Sequence, residues 1–532
     1  MTQAPWWRGA VIYQIYPRSF LDSNGDGIGD LAGITSKLDY VASLGVDGIW
    51  LSPFFKSPMK DFGYDVSDYC DVDPIFGSLA DFGALLDKAH GLGLKVVIDQ
   101  VFSHTSEEHP WFVESARSRD NPKADWYVWA DPKPDGTPPN NWLGVFGGPA
   151  WAWSPRRRQY YLHNFLTEQP DLNFHNPAVQ DAVLDAARFW LDRGVDGFRL
   201  DVVNYYFHDE ALRDNPPAAY AKPPGWTYQY QRHAYDKSQP ETLGFVARLR
   251  ALTDEYADRM MVGEVGDDEP LPRQIEYTAG PDRLHTAYSF HLLDGRRGTP
   301  ELFAQAVQAW SGVDGWPSWS IGNHDFVRFP TRLGGPDVTP EQTDAFMAAL
   351  FALRGTLFLY QGEELGLPQA VVPFDQLQDP YAKAAFVGDS GRDGTRTPFP
   401  WTASDRMGGF TSAAHAWLPL DPRHIAQAAD TQIDAPGSHL AVTRKLIGLR
   451  AKHPALRTGQ AEVLSAPEGV LAVLRTEGTE RVLCAVNLGH EPAILMRNDL
   501  AGAVLADSGL KAELAEDRLS LPPFGVAFVV LG

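Results

Sequence analysis

Eight short apolar runs recur along the chain, and each one ends in polar residues and is followed by a segment of helical period. The runs begin at Ala10, Gly45, Leu94, Gly194, Met260, His285, Trp319 and Gly355. Between the third and fourth runs, apolar residues recur at helical intervals and predict one buried helix face: Val179, Ala182, Val183, Ala186 and Trp190. Strands that alternate with helices predict parallel βαβ units, and eight such units indicate an α/β protein with a (β/α)₈ TIM barrel.

Three segments depart from this alternation. Residues 105–172, between the third and fourth units, are rich in Trp, Pro and charged residues and show no strong helical period. Residues 367–435, after the eighth strand, are rich in Pro, Gly and Asp, and from residue 457 short β runs alternate with turn residues. We therefore predict a barrel over 1–104 and 173–456 with an insertion at 367–435, an inserted domain over 105–172 and a C-terminal antiparallel β-sandwich over 457–532.

The composition is that of a soluble globular protein and narrows the choice of partners. Of 532 residues, 44% are hydrophobic and 21% are charged, and 46 Lys and Arg against 68 Asp and Glu leave a formal net charge of -22. This sign repels nucleic-acid phosphates and anionic membrane surfaces, so we expect neither as a partner. The N-terminus MTQAPWWRGA lacks the pattern of a secretory signal, and the longest apolar run, Phe346 to Leu353, is too short to span a bilayer. We therefore expect a cytoplasmic protein.

Chemically active side chains follow several predicted strands at the point where each strand ends. In a parallel barrel these ends meet on one face, where active sites form. The residues at the ends of strands three, four, five and seven are Asp99, Ser103, His104, Arg199, Asp201, Glu264, His324 and Asp325. Any one of them alone is better explained as an ion pair or a cap, but their repetition favours a catalytic site.

Two of these carboxylates have the arrangement of a glycosidase. Asp201 and Glu264 end neighbouring strands about 4.8 Å apart, so their carboxyls can lie roughly 5 Å apart. That separation favours a retaining glycosidase, since an inverting pair needs a wider gap for water. Arg199, on the same strand face as Asp201, is expected to favour the ionised, nucleophilic carboxylate. Apolar walls are expected to raise the pKa of Glu264, the acid, and Asp325 would bind sugar hydroxyls.

The runs in this order resemble the motifs of one enzyme family. DQVFSH, GFRLDVVN, GEV and GNHD are similar to the four core motifs of the α-amylase superfamily, glycoside hydrolase family 13. QPDLN from Gln169 and GRDGTRTPFPW from Gly391 resemble segments of its oligo-1,6-glucosidase and α-glucosidase branch. The resemblance covers essentially the whole chain. It implies a retaining exo-α-glucosidase that acts on short α-gluco-oligosaccharides or glucosides without an organic cofactor.

The resemblance also implies a role for each site residue. It makes Asp201 the nucleophile, Glu264 the acid/base and Asp325 the stabiliser of the transition state. For substrate binding it implies Tyr64 as a stacking platform, His104 and His324 as hydroxyl ligands, and Arg199 as the charge partner of the nucleophile. Asp65 and Arg396 resemble the pair that grips the non-reducing end and closes the pocket, with Arg392 as the rival of Arg396.

An early loop, DSNGDGIGD, predicts a structural Ca²⁺ or Mg²⁺ site. Its spacing follows an EF-hand loop through position nine, and its oxygen ligands would be Asp22, Asn24, Asp26, the Ile28 carbonyl and Asp30. The bidentate Glu expected at position twelve is missing, because Gly33 stands there, and a polar turn is the alternative. Ser103 stands where calcium-dependent α-amylases carry an Asn ligand, so their metal site is not expected here.

The bond that is cleaved and the fate of the glucosyl group stay open. Val202 resembles the residue of the oligo-1,6-glucosidase branch and favours α-1,6 over α-1,4 cleavage, but one side chain shifts selectivity by only about 1 to 3 kcal/mol. A glucosyl-transferring isomerase or transglucosylase on sucrose or maltose would use the same covalent intermediate. The non-enzyme alternative is a catalytically dead sugar-binding or transporter-associated subunit, and the presence of all three carboxylates argues against it. The oligomeric state is not determined by the sequence.

Overall fold

The barrel positions every strand end that the sequence singles out. A computed structural model describes residues 4–219, 226–294, 297–385, 391–506 and 511–532. Its barrel strands confirm the prediction: β1 Val11–Ile15, β2 Gly48–Leu51, β3 Lys95–Gln100, β4 Gly197–Leu200, β5 Met260–Val265, β6 Thr286–Ser289, β7 Ser318–Ser320 and β8 Thr356–Tyr360. They pair in parallel in the order β6-β5-β4-β3-β2-β1-β8-β7. A parallel bridge between Ala287 of β6 and Pro317, just before β7, closes the ring.

A helix follows each barrel strand. These helices span Leu31–Ser43, Leu79–Gly91, Pro177–Leu191, Glu241–Thr253, Pro270–Thr278, Pro300–Ala309, Pro340–Phe351 and His439–Lys452. The third of them begins at Asn176, whose side chain accepts a hydrogen bond from the Ala178 amide. Its predicted face is buried at Val179, Val183, Ala186 and Trp190, whereas Ala182 is only half-buried. Within the described ranges, no helix has both the length and the hydropathy needed to cross a membrane.

The segment between β3 and its helix carries a small sheet of its own. It contains the short helix Pro110–Ser115 and three antiparallel strands, in which Gln159–Leu162 lies between Trp129–Ala130 and Trp151–Ser154. The two ends of the segment meet, because His104 forms an antiparallel bridge with Asp171. The segment therefore leaves and re-enters the barrel at one place, the carboxyl end of β3.

Short elements also occupy the loops after β2 and β8. After β2, Phe55–Lys56 pairs antiparallel with Asp68–Val72. After β8, short helices span Pro380–Ala385, Asp393–Arg396, Pro422–Ala426 and Ala429–Gln432. Both loops leave the face of the barrel on which active sites form.

The C-terminal residues form two antiparallel sheets after the short helix Pro454–Arg457. The first sheet has the strands Gln460–Val463, Val470–Glu477, Glu480–Asn487, Val526–Leu531 and Val504–Leu505 in this order, and the second has Ala493–Met496, Arg518–Leu521 and Glu513–Ala515. Side chains of the first sheet alternate between its two faces. Leu483 packs with Leu519 of the second sheet, whereas its neighbour Val482 joins the core of the barrel. The predicted domain bounds themselves stay a prediction.

A buried arginine connects the C-terminal sheet to the barrel. Arg475 has no exposed surface and donates to the carbonyls of Leu353 at 2.8 Å and Gly459 at 2.9 Å. Burial lowers the pKa of Arg475 to about 10, so the guanidinium remains charged at neutral pH. Its charge is therefore solvated by backbone carbonyls on both sides of the contact.

We predict that Arg475→Met lowers the free energy of unfolding by about 2 to 4 kcal/mol, because it removes a buried, charged donor from the carbonyls of Leu353 and Gly459. Urea denaturation followed by tryptophan fluorescence measures the change. Arg481→Met is the control, since it removes only a half-exposed pair with Asp499 in the same domain and should cost less than about 1 kcal/mol. Equal losses in the two variants would contradict the role assigned to the buried contacts.

Candidate active site

A single guanidinium connects three carboxylates at the carboxyl ends of β3, β4 and β5. The strand register places Arg199 of β4 beside Asp99 of β3. Arg199 is fully buried and donates to Asp99 at 2.9 Å, to Asp201 at 2.6 Å and to the carboxylate of Glu264. The hydroxyl of Tyr288, on β6, lies 3.0 Å from Arg199 Nη2. The structure thus brings Asp201 and Glu264 to the two terminal nitrogens of one guanidinium.

Burial and the shared cation set the proton affinity of these carboxylates. Burial raises the pKa of Asp201 to about 7, although Arg199 opposes the shift. Burial also raises the pKa of Glu264, to about 8, against Arg199 and with a contribution from the charges of Asp201 and Asp325. Arg199 acts in the expected direction and favours the ionised form of Asp201, but burial has the larger effect on the pKa of Asp201. The cost of burying the carboxylate outweighs the attraction of Arg199, and the negative charge of Asp99 beside it raises the pKa of Asp201 further.

The residue after Asp201 has an unusual backbone conformation. Val202 has φ of 35° and ψ of 50°, which is left-handed and rare for a β-branched residue. Its amide donates to Glu264 Oε2 at 3.3 Å, and the turn Val203–Tyr205 follows directly. The turn therefore places the loop after Asp201 against the carboxylate of Glu264.

Tyr64 and His324 form a stacked pair beside the carboxylates. Their rings lie 5.1 Å apart with an interplanar angle of 4°, and the Tyr64 hydroxyl donates to Asp99 at 3.0 Å. The Gln14 amide nitrogen lies 2.8 Å from His324 Nδ1, so Nδ1 accepts and the proton is assigned to Nε2. Burial lowers the pKa of His324 to about 3, which keeps the ring neutral. Nε2 lies 3.1 Å from Asp325 Oδ2 without an aligned acceptor, which leaves its proton available to an acceptor on a ligand.

His104 is held by protein groups on both ring nitrogens. Ser103 Oγ lies 2.8 Å from Nδ1, and the Tyr64 carbonyl lies 2.9 Å from Nε2. The side-chain amide of Gln169 lies 3.1 Å from the same Nε2. Burial lowers the pKa of His104 to about 4. His104 therefore belongs to the wall of the pocket, and its role as a hydroxyl ligand stays a prediction.

The predicted pair of Asp65 and Arg396 does not form. Asp65 has no exposed surface and accepts hydrogen bonds from three groups of its own loop, so its carboxylate stabilises that loop. The acid that meets an arginine is Asp61, four residues earlier, whose Oδ1 accepts from Arg392 Nη2 at 2.7 Å. The rival arginine, Arg392, thus forms the ion pair with an aspartate of this loop, and the substrate-binding roles of Asp65 and Arg396 stay a prediction.

Asp325 lies between two arginines. Its Oδ1 accepts from Arg396 at 2.7 Å and lies 3.4 Å from Arg392, which also binds Asp379 at 2.9 Å. Burial raises the pKa of Asp325, but His324 and these two arginines outweigh it and hold the pKa well below its usual range. The Asp325 side chain is 29% exposed, whereas those of Asp201 and Glu264 are 9% and 4% exposed. Asp325 is therefore the carboxylate of the three that is most accessible to a ligand.

Backbone amides organise the loop that is predicted to hold a cation. Asp22 accepts hydrogen bonds from the amides of Asn24 at 3.0 Å, Gly25 at 2.7 Å and Gly27 at 2.8 Å. Gly27 is required there, because its φ is +90° and a Cβ would lie 2.5 Å from the His415 carbonyl. These bonds hold the carboxylate of Asp22 in one orientation.

The oxygen donors of this loop fit a hard cation in part. Carboxylate, amide and carbonyl oxygens are the ligands that Ca²⁺ and Mg²⁺ prefer, and the loop offers Asp22, Asn24, Asp26, the Ile28 carbonyl and Asp30. Burial raises the pKa of Asp22, but hydrogen bonds from Thr411 and the loop amides bring it below its usual value. Across the described ranges, no three His, Cys, Asp or Glu side chains converge into a metal-binding group. The oxygens of Asn24 and Ile28 would therefore have to complete the ligand set.

Asp61 and Gln169 are among the residues of the site that were not predicted from the sequence. Asp61 stands in the same KDFGYD segment as Asp65, so its carboxylate was a visible candidate without a role. Gln169 begins the QPDLN motif, and its amide lies 3.3 Å from Asp61 Oδ2 and 3.1 Å from His104. Motif membership was the signal for Gln169, whereas only the fold shows which of the two aspartates meets Arg392.

Comparisons with known proteins agree with this geometry. A family model described as alpha amylase, catalytic domain, matches residues 14–459. A probable alpha-glucosidase of Rhizobium meliloti (strain 1021) is 51% identical over 99% of this chain and 97% of that protein. An oligo-1,6-glucosidase of Heyndrickxia coagulans is 39% identical over 91% of this chain and 92% of that protein. The crystal structure of an alpha-glucosyl transfer enzyme, XgtA, is 52% identical, with a TM-score of 0.96 and 100% coverage of both chains.

The barrel and the paired carboxylates define a glycoside hydrolase. The family match covers most of the chain, and the relatives align over nearly their whole length. The chain belongs to the alpha-amylase family, glycoside hydrolase family 13.

We predict that Glu264→Gln gains stability relative to the unchanged protein as the pH rises from about 5 to about 8. The folded-state pKa of Glu264 is raised to about 8, above that of an exposed Glu. The stability that the protonated carboxyl supports is therefore present at low pH and lost as the pH rises through this range, and Gln does not undergo this loss.

Urea denaturation of both proteins across this pH range measures the difference. Glu301→Gln is the control, because Glu301 is an exposed residue of the helix Pro300–Ala309 and its variant should show a constant difference. A pH-independent difference for Glu264→Gln would show that its pKa is not raised.

Proposed function

We propose that this protein is a retaining exo-α-glucosidase that releases glucose from the non-reducing end of short α-1,6- and α-1,4-linked glucosides. The observation that carries the proposal is the binding of Asp201 and Glu264 to the two terminal nitrogens of the buried Arg199. Carboxylates that share one guanidinium must lie close together, which supports the short separation of a retaining pair. The pKa of Asp201 is also the lower of the two, so Asp201 loses its proton first.

The reaction follows as two displacements. Ionised Asp201 attacks the anomeric carbon while Glu264 donates its proton to the glycosidic oxygen, so the bond to the leaving group breaks as a glucosyl ester forms. Glu264, now a carboxylate, then takes a proton from water, and the water oxygen displaces Asp201 to release glucose with its original configuration. The negative charge moves from Asp201 to Glu264 and back. Because Arg199 binds both, it stabilises this charge in either place.

The pair of Asp61 and Arg392 supports the exo mode. It joins the loop after β2 to the loop after β8, and Arg392 lies 3.4 Å from Asp325. A charged pair on this side of the pocket would limit it to one glucose unit and offer hydrogen bonds to the terminal hydroxyls. The linkage is supported more weakly. Val202 favours α-1,6 cleavage, and the similarity to an oligo-1,6-glucosidase points the same way.

Glucosyl transfer is the second candidate function, and the similarity to the alpha-glucosyl transfer enzyme favours it. An acceptor hydroxyl would take the place of water, give its proton to Glu264 and displace Asp201 from the glucosyl ester. With sucrose or maltose as donor, return of the released sugar through another hydroxyl would give an isomerised disaccharide.

Incubation with isomaltose, maltose and sucrose distinguishes the two candidates. We expect free glucose as the main product on chromatography, and we expect Asp201→Asn to lower kcat by about 10³-fold or more, because no glucosyl ester can form. A melting curve of the variant confirms that it is folded. If isomerised disaccharide is the main product, glucosyl transfer and not hydrolysis is the function of the protein. Near-normal turnover by Asp201→Asn would overturn the assigned nucleophile.

We also propose that residues 22–30 bind a structural Ca²⁺ or Mg²⁺. Its donors would come from Asp22, Asn24, Asp26, the Ile28 carbonyl and Asp30. The bonds from loop amides to Asp22 support a preorganised first ligand, whereas the three carboxylates of the described loop would have to move together around the ion. The ion would connect the loop after β1 to Thr411, whose hydroxyl binds Asp22. The ion is expected to stabilise the fold and takes no part in the two displacements.

We predict that excess chelator lowers the melting temperature by several degrees and that added Ca²⁺ or Mg²⁺ restores it. Free metal at a hundred times its Kd contributes about 2.7 kcal/mol. Asp26→Asn should lose most of this response, whereas Asp135→Asn, which changes an exposed turn in the inserted segment, should keep it. Melting that is unchanged by chelator would argue for an ordinary polar turn.

A further inference from the structure

Lys237 is a buried cation that is solvated by two phenols. It is 4% exposed, and its ammonium lies 3.0 Å from Tyr228 Oη and 3.5 Å from Tyr205 Oη. The two hydroxyls lie 2.6 Å from each other. Within the described part of the chain, no carboxylate forms a salt bridge with this ammonium, and the charges of Asp267, Asp236 and Asp268 act on it from farther away. Burying a charge without such a partner is costly, and the two phenol oxygens are the groups that offset this cost by direct contact.

The two phenols belong to a row of aromatic side chains that reaches the catalytic centre. Tyr205 lies 5.5 Å from Phe165, and Phe165 lies 5.1 Å from His104. In the other direction, Tyr228 stacks on Trp226 at 5.1 Å. Phe165 and Trp226 are only half-buried, so part of each ring is exposed. The row therefore forms an aromatic surface that continues from the pocket wall.

This aromatic surface lies on the Glu264 side of the centre. The side chain of Asn204, the neighbour of Tyr205, donates to the Gly266 carbonyl at 2.8 Å and to Ser238 Oγ at 3.0 Å. Ser238 follows Lys237, and Gly266 lies just beyond Glu264. These hydrogen bonds connect the segments that carry Lys237, Tyr205 and Glu264.

The glucose side is formed by other loops. Tyr64, His324, Asp325 and Arg392 come from the loops after β2, β7 and β8 and contact one another. They meet the aromatic surface at its inner end, where Arg392 lies over Phe146 and Phe146 contacts Phe165. The leaving group departs toward the acid/base, because that residue protonates its oxygen. The aromatic surface therefore faces the sugar or alcohol beyond the cleaved bond.

We infer that Lys237 is a positioning residue for the leaving-group and acceptor side of the pocket. Its ammonium holds the hydroxyls of Tyr205 and Tyr228 and thereby the orientation of the rings against which the leaving sugar or incoming acceptor packs. The inference rests on the proposed function of Asp201 and Glu264. Lys237 contacts neither carboxylate, so its loss should weaken binding beyond the cleaved bond and leave the glucose side intact.

Two substrates separate these effects. Isomaltose has a full sugar on the leaving-group side, whereas α-glucosyl fluoride has only a fluorine atom there. We expect Lys237→Met to lower kcat/KM for isomaltose about 10-fold, mainly through a higher KM, and to change kcat/KM for the fluoride less than about 2-fold. The ratio of the two values does not depend on how much of the variant is folded.

Two further variants complete the experiment. Lys237→Arg keeps a cation beside the phenols and should recover most of the isomaltose activity. Lys123→Met removes another lysine that contacts an aromatic ring, at 3.3 Å from Trp126 in the inserted segment. It should leave kcat/KM unchanged for both substrates. Equal losses on both substrates, or no loss on either, would overturn the inference. If the unchanged protein hydrolyses neither substrate, the proposed function itself is wrong and the inference falls with it.

Discussion

The buried guanidinium of Arg199 is the interaction on which the site depends. Asp99, Asp201 and Glu264 end three neighbouring strands and are almost without exposed surface. Without a nearby cation, burial and the repulsion between their negative charges would keep these carboxyl groups protonated. One arginine is not enough to neutralise three carboxylates. Burial thus remains the larger effect and raises the pKa values of Asp201 and Glu264 to about 7 and about 8. At neutral pH this pair of carboxyl groups therefore still holds a proton. A proton held between two close carboxylates is what acid-assisted displacement requires.

A second set of charges shows that the environment determines each role. Asp325 is the same residue type as Asp201, but His324, Arg396 and Arg392 surround it, and its pKa lies far below its usual range. Burial keeps the His324 and His104 rings neutral, so they contribute hydrogen bonds without adding positive charge. The site thus combines a permanently ionised carboxylate, one that ionises readily and one that holds its proton.

The barrel and the main carboxylates could be predicted because their signals are local. A strand that is buried on both sides requires a continuous apolar run. The polar residue that follows this run lies on the face of the barrel formed by the carboxyl ends of the strands. Asp201, Glu264 and Asp325 are all placed by this rule. Tyr64 and His324 were expected to line the pocket from motif resemblance, and the structure stacks them on each other. In contrast, motif resemblance pointed to Asp65 and Arg396 as the pair that grips the substrate, whereas the ion pair that the structure shows between these loops is that of Asp61 and Arg392.

The sequence by itself determined the eight strands, the order of the segments and the residues that stand at the strand ends, because hydrophobic periodicity is a property of neighbouring residues. The tertiary structure decided which charges meet. Asp61 and Arg392 are 331 positions apart, and Lys237 reaches Tyr205 across 32 residues. Composition and spacing do not constrain such distances. The pKa values also follow from tertiary structure, since burial and the sharing of Arg199 depend on packing from several strands at once.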